Sequence, residues 1–217
     1  RRLHQICTVN PEFVMLARQD GSFRQVLESA DYNVADGVGI LWAARRQGTP
    51  LPERVPGSEL VWMLAEQAAQ NGWRLFLLGA APGVAEEAAA VLQQRYPALQ
   101  IAGTWAGSPA SAENDDIVAR INASRADLLY VAYGAPRQDQ WIARNRHALT
   151  TVWLAMGVGG SLDFIAGRVP RAPLLVQRLW LEWLYRAVQQ PRRWRRLLLL
   201  PRFVWSVLRG QLSPPSE

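Results

Sequence analysis

Two short segments hold the residue types from which a reaction could be built. Thr8-Val9-Asn10-Pro11-Glu12 and Ala35-Asp36-Gly37-Val38-Gly39-Ile40 each close a short apolar run, and each puts polar groups and a helix start where a strand should stop. In parallel α/β proteins ligands bind at such places. Asp36 is the candidate general base. A carboxylate at a strand end can take a proton from a hydroxyl if it is partly desolvated, because desolvation strengthens its hold on the proton. On spacing alone, capping a helix over Val38–Ala44 is the commoner role for an aspartate in that position.

Three glycine turns point to a phosphorylated ligand. Gly79-Ala80-Ala81-Pro82-Gly83, Gly134-Ala135-Pro136-Arg137-Gln138 and Gly157-Val158-Gly159-Gly160-Ser161-Leu162-Asp163 each follow an apolar run and precede a helical pattern. Backbone N–H groups at a helix start favour phosphate, and glycine lets the backbone approach a ligand closely. Singly each is an ordinary tight turn. Together they would line one sheet edge and suggest a nucleotide or sugar-nucleotide cleft. The spaced glycines and distant acidic residue of a dinucleotide fingerprint are not in place.

Arg54, in a loop with three prolines, reads as a solvated charge or as a phosphate clamp. No two aspartates are separated by one residue, so no Asp-x-Asp metal motif exists. If a group is transferred from a nucleotide, arginines, amides and helix dipoles must stabilise the leaving phosphate. Arg186, Arg193 and Arg196 share a face if helical direction persists across Pro191, either to meet a diphosphate or as a solvated basic face.

The elements that must position these residues alternate. Apolar runs predict strands at Leu3–Val9, Tyr32–Ala35, Trp73–Leu78, Leu99–Gly103, Asp127–Ala132 and Thr151–Ala155. Helical patterns fall between them: from Pro11 with Asn10 as N-cap, then to about Ala30, Val38–Ala44, Ser58–Gln70, Pro82–Arg95, Ala112–Ala123 and Pro136–Arg146. That alternation predicts an α/β fold, a Rossmann-like, mostly parallel sheet with helices on both faces.

The chain has 217 residues, 49% hydrophobic, with mean hydropathy −0.08, enough for one large domain with an appendage. The single cysteine, Cys7, excludes an intrachain disulfide, and two histidines make a structural zinc site a poor expectation. Every basic residue is arginine. Residues 1–170 hold 15 Arg and 16 Asp+Glu, net −1; residues 171–217 hold 9 Arg and 2 Glu, net +7. The positive charge of the chain therefore sits in its last fifth, where arginine is interleaved with four of the ten tryptophans. We divide the chain into a core, 1–173, and an appendage, 174–217. The appendage reads as interfacial, lying on an anionic membrane without crossing it, or as terminal helices packed on the core. No run of 18 apolar residues is present.

The motifs taken together resemble a known family. Thr8-x-Asn10, Ala35-Asp36-Gly37-x-Gly39, Glu53-Arg54-Val55, Gly134-Ala135-Pro136-Arg137-Gln138, Met156-Gly157-Val158-Gly159-Gly160, Gly167-x-Val169-x-Arg171-Ala172-Pro173 and Leu181-Glu182-Trp183-Leu184-Tyr185-Arg186 occur in order. They are similar to the WecG/TagA/CpsF family, glycosyltransferase family 26, from about Thr8 to Arg209. The resemblance implies an inverting, metal-independent transferase with no cofactor. It would move a sugar, N-acetylmannosamine or a related hexose or uronic acid, from a UDP donor to a polyprenyl-diphosphate-linked sugar. The setting would be teichoic acid or exopolysaccharide synthesis at the cytoplasmic face of the bacterial inner membrane, with homo-oligomerisation left open. Carried over by position, Asp36 corresponds to the general base, with Thr8, Asn10, Arg54 and Gln138 around it. Arg186, Arg193 and Arg196 correspond to appendage arginines that reach the diphosphate. Gly37, Gly79, Gly134, Pro136, Gly157, Gly159, Gly160 and Asp163 are candidates for substrate contact. The family usually has a strand and helix ahead of Thr8, most of which this sequence lacks, so a truncated front is expected.

Two other classes compete. A soluble nucleotide- or NAD-dependent enzyme would need the fingerprint that is missing. A nucleic-acid-binding protein would use residues 174–209, but no known nucleic-acid-binding motif is present and the remaining charge is near neutral.

Overall fold

A computed structural model describes residues 2–169 and 198–210. Six strands, β1 (His4–Val9), β2 (Tyr32–Ala35), β3 (Arg74–Gly79), β4 (Gln100–Trp105), β5 (Leu128–Ala132) and β6 (Leu154–Gly157), form one sheet in the order β2-β1-β6-β5-β3-β4. Every pairing is parallel. The helices are α1 (Pro11–Gln19), α2 (Gly21–Ser29), α3 (Val38–Arg46), α4 (Gly57–Asn71), α5 (Val84–Arg95), α6 (Asn114–Ser124), α7 (Arg137–Asn145), α8 (Ser161–Ile165) and α9 (Leu199–Leu208).

Residue alternation explains the layers. All five residues of β5 and all four of β6 are buried, as strands covered on both faces require. Ile6, Leu75, Leu77, Leu128, Tyr130, Leu154 and Met156 pack under α4, α5 and α8. Leu3, Phe76, Leu78, Leu129, Val131 and Ala155 pack under α6 and α7 on the opposite face. The hydroxyl of Tyr130, within the first layer, donates to the Val61 carbonyl at 2.8 Å. A third, smaller cluster joins Met15 of α1, Ala43 of α3 and Phe203 and Val207 of α9.

The chain runs out to β2 at one edge, crosses to β3 and β4 at the other, and returns through β5 and β6 to lie beside β1. Connections leaving β3 and β5 therefore diverge. So do those leaving β1 and β6, because β1 leads to α1 and α2, while β6 leads to α8, which packs on α5. Ligand crevices form where connections diverge, at the carboxyl ends of the strands.

Several predicted boundaries shift. The helix expected from Pro82 begins at Val84, because Ala80 and Gly83 take positive φ (67° and 85°) and extend the turn. The last strand is Leu154–Gly157 rather than Thr151–Ala155. Trp153 N–H instead donates to Asp127 at 3.0 Å, bridging to β5 before pairing with β6 starts. The fourth strand runs Gln100–Trp105, two residues past Gly103, and the helix expected from Ala112 is a 3-10 turn at Ser111–Glu113 followed by α6. The expected core–appendage boundary at 173/174 and most of the appendage lie outside the described residues.

Candidate active site

Thr8, Asn10 and Asp36 are brought together by the pairing of β1 with β2. Val9 is level with Ala35, and Asp36 N–H donates to the Val9 carbonyl at 2.8 Å, so the two strand ends are sewn to each other. The side chain of Asn10 caps α1, its Oδ1 accepting from Phe13 N–H at 3.1 Å. The Thr8 side chain lies against the start of α4. A β-carbon at Gly57 would lie 3.2 Å from Thr8 Oγ1, a tight contact that would ask Thr8 to give by a few tenths of an ångström.

Asp36 is half-buried, and it is not the helix cap that its spacing suggests. The N-cap of α3 is Gly37, at φ 131° and ψ 144°, without a side-chain capping bond. Val55 N–H donates to the Ala35 carbonyl at 2.9 Å. That bond draws the three-proline loop back to the same strand end and sets Arg54 beside the Asp36 turn.

The glycine turns lie along the same edge and are tied by one side chain. Gln138 Oε1 accepts from Gly134 N–H at 3.1 Å and from Gly159 N–H at 2.9 Å, joining the turn after β5 to the turn after β6. Gln138 is buried, so it fixes the shape of this wall from behind. Ala135–Pro136 is cis and Pro136 caps α7. Gly160 caps α8, whose first turn holds Asp163. Gly79, at φ 97°, has no room for a side chain: a β-carbon would stand 2.9 Å from the Ala132 carbonyl carbon. Along the edge the order is thus Asp36, Asn10, Gly157, Gly134, Gly79, following the strands. Arg186, Arg193 and Arg196 lie outside the described residues.

Gly157 is the tightest of these positions. A β-carbon there would overlap the Gln138 amide nitrogen and fall 2.7 Å from Asp139 Oδ1. Gly157→Ala should therefore displace Gln138 and loosen both turns, at a cost of about 1–3 kcal/mol, or roughly 2–12 °C in Tm. A thermal melt of the variant checks this; an unchanged Tm would contradict the packing described.

A glycosyltransferase profile, the Glycosyl transferase WecG/TagA/CpsF family, matches residues 1–217. The chain belongs to that family. Among curated relatives, N-acetylglucosaminyldiphosphoundecaprenol N-acetyl-beta-D-mannosaminyltransferase of Bacillus spizizenii is 37% identical over 206 residues, covering 95% of this chain and 79% of the relative. Proteins of the same name from Staphylococcus aureus strains MW2 and NCTC 8325 are 36% identical over 95% of this chain and 80% of their own length. As a WecG/TagA/CpsF glycosyltransferase, the chain has its expected pocket residues Thr8, Asn10, Asp36 and Arg54 grouped at the β1–β2 end of the edge, with the glycine turns continuing from it. A separate open depression, lined by Arg2, Leu3, Arg146, His147, Leu149 and Thr150, lies by the opposite ends of β1 and β6, away from these residues.

Asp139 was not among the expected site residues. Its signal was present in the sequence: α7 buries Gln138, Asp139 and Asn145 alongside Trp141 and Ile142, and polar residues in a buried helical stripe ask for an explanation. Burial pushes its carboxyl up to about 7, against which the Gln138 amide and Cys7 thiol act more weakly.

Proposed function

We propose that this glycosyltransferase moves N-acetylmannosamine from UDP-N-acetylmannosamine to N-acetylglucosaminyl-diphospho-undecaprenol, with inversion and without a metal ion. The similarity to N-acetylmannosaminyltransferases over 95% of the chain carries this reading. The placement of Asp36 supports the chemistry. Inversion needs a base on one side of the sugar while UDP leaves from the other, and Asp36 lies at one end of an edge otherwise made of amide-rich turns. UDP departs as an anion, so Arg54, backbone amides and the appendage arginines would stabilise it.

The test is transfer by the full chain to a short-chain lipid-diphosphate acceptor, with a panel of UDP-sugars. UDP-N-acetylmannosamine should be the preferred donor, and EDTA should leave the rate unchanged. Preference for another sugar would overturn the assignment of donor, and strong EDTA inhibition would overturn the metal-free account.

The same reading places the protein on the cytoplasmic face of the bacterial inner membrane. No described helix is long and apolar enough to cross a bilayer. Helix α9 carries apolar residues on two sides. Phe203 and Val207 turn inward onto α1 and α3, while Val204, Trp205 (55% exposed) and Leu208 (50%) turn outward, with Leu198 just ahead of the helix. Val38 and Trp42 of α3 are also exposed. The Arg209 guanidinium stands 4.2 Å from the Trp205 ring centroid, so apolar and cationic groups alternate as at a headgroup boundary. Replacing Trp205 and Leu208 together by glutamate should abolish flotation with anionic vesicles and leave the fold intact by circular dichroism. Undiminished flotation would remove α9 from the membrane contact.

A further inference from the structure

Behind the glycine turns lies a polar group that the proposed chemistry does not use. Asp139 is 0% exposed, and no N–H or O–H reaches either carboxylate oxygen with ordinary hydrogen-bond geometry. Its main-chain carbonyl accepts from Gln5 Nε2 at 3.0 Å, fixing the first turn of α7 to β1. Its Oδ1 occupies the space a side chain at Gly157 would need, together with the amide nitrogen and amide carbon of Gln138. Asp139 is thus wedged between β1 and β6, directly behind the residue that ties the two turns.

We propose that Asp139 is a positioning residue for sugar transfer, a neutral carboxylic acid whose packing holds Gln138 against the Gly134 and Gly159 amides. It rests on the proposed transferase reading only for its effect on the rate. Neutrality follows from the surroundings, since an unpaired buried carboxylate carries a large desolvation cost. From β1 it faces the Cys7 thiol, which burial and Asp139 itself keep protonated. Arg146, just past α7, is committed to Asp31 at 2.8 Å. The adjoining residues of β5 and β6 are apolar or glycine, and on α2 the nearest partner of α7 is Asp20, engaged by Gln140 at 3.1 Å.

The sign of the pH dependence follows. The folded-state carboxyl titrates near 7, above its ordinary value of 3.8, so the native state holds one more proton than the unfolded chain between them. Stability falls as pH rises across that interval and levels off above it. Ionisation should push Asp139 out of its slot, release Gln138 and free the two turns.

The experiment compares the full-length protein with Asp139→Asn, an isostere of the neutral acid, and with Asp139→Ala. Two quantities are read across pH: kcat, and hydrogen exchange of the Gly134 and Gly159 amides corrected for intrinsic base catalysis. Wild type should lose protection at both amides, and lose kcat, as pH rises through neutrality. Asp139→Asn should keep both and flatten the alkaline limb, while Asp139→Ala should lower kcat about 10²-fold at every pH. Identical alkaline limbs in wild type and Asp139→Asn would overturn the proposal, as would pH-independent protection in wild type. If Asp139→Asn does not fold, the wild-type exchange profile decides alone. If wild type transfers no sugar, the transferase reading fails, and the exchange data still decide the role of Asp139.

Discussion

Asp36→Asn should lower kcat by about 10²–10⁴-fold, the range that a positioned general base contributes, while leaving UDP affinity close to wild type. Asp36 is held by its own N–H to the end of β1, one residue before Asn10, and the N-cap position of α3 is taken by Gly37. Asparagine keeps the size and the main-chain bond but cannot accept a proton from the acceptor hydroxyl. The loss should therefore fall on kcat and leave donor binding unaffected, which steady-state kinetics together with UDP calorimetry would separate. A variant with wild-type turnover would remove Asp36 as base. A variant that lost UDP binding would make it a donor-binding group instead.

Deleting residues 174–217 should abolish transfer to the lipid-linked acceptor. Two losses combine. The deletion removes Arg186, Arg193 and Arg196, the expected contacts to the diphosphate. It also strips α9 from α1 and α3, exposing Met15 and Ala43. Those helices begin at the Asn10 and Gly37 turns, and the contact reaches the turns themselves. A β-carbon at Gly39 would fall 2.7 Å from Pro11 Cγ and 3.6 Å from Phe203 Cε1, so proline, glycine and phenylalanine meet at one point. Phe203→Ala keeps every arginine and should show the second loss alone, as a partial fall in rate and a lower Tm. A truncated protein with the full rate would sink the role given to the appendage.

Much of the framework was legible because it rests on local pattern. Short apolar runs such as Leu128–Ala132 between helical patterns fit strands buried on both faces, and Asn10-Pro11 announces a helix start that the structure bears out, cap bond included. Parallel order followed from the alternation with helices. The sequence could not reveal what depends on distant partners. Gln138 reads as a pocket residue from its place after a Gly-Ala-Pro turn, yet its Oε1 is occupied by amides from two turns, one of them 21 positions away. Asp139 in a first helical turn looks like an ordinary dipole partner. Only the approach of Gly157 and β1 shows it to be enclosed. The start of α5 slipped because a non-glycine residue, Ala80, takes positive φ, which no local rule anticipates.

The contact of Phe203 with Pro11 and Gly39 also has a temporal side. Synthesis delivers α1 and α3 first and α9 near the end, and domains assemble as the chain emerges. The sheet from β1 to β6 can close before α9 exists, but the cluster of Met15, Ala43, Phe203 and Val207 cannot. A nascent chain would thus carry Asp36 in a turn that still lacks one wall. Competence would arrive only with α9, so a polypeptide on the ribosome that has not yet added it should be unable to consume its donor.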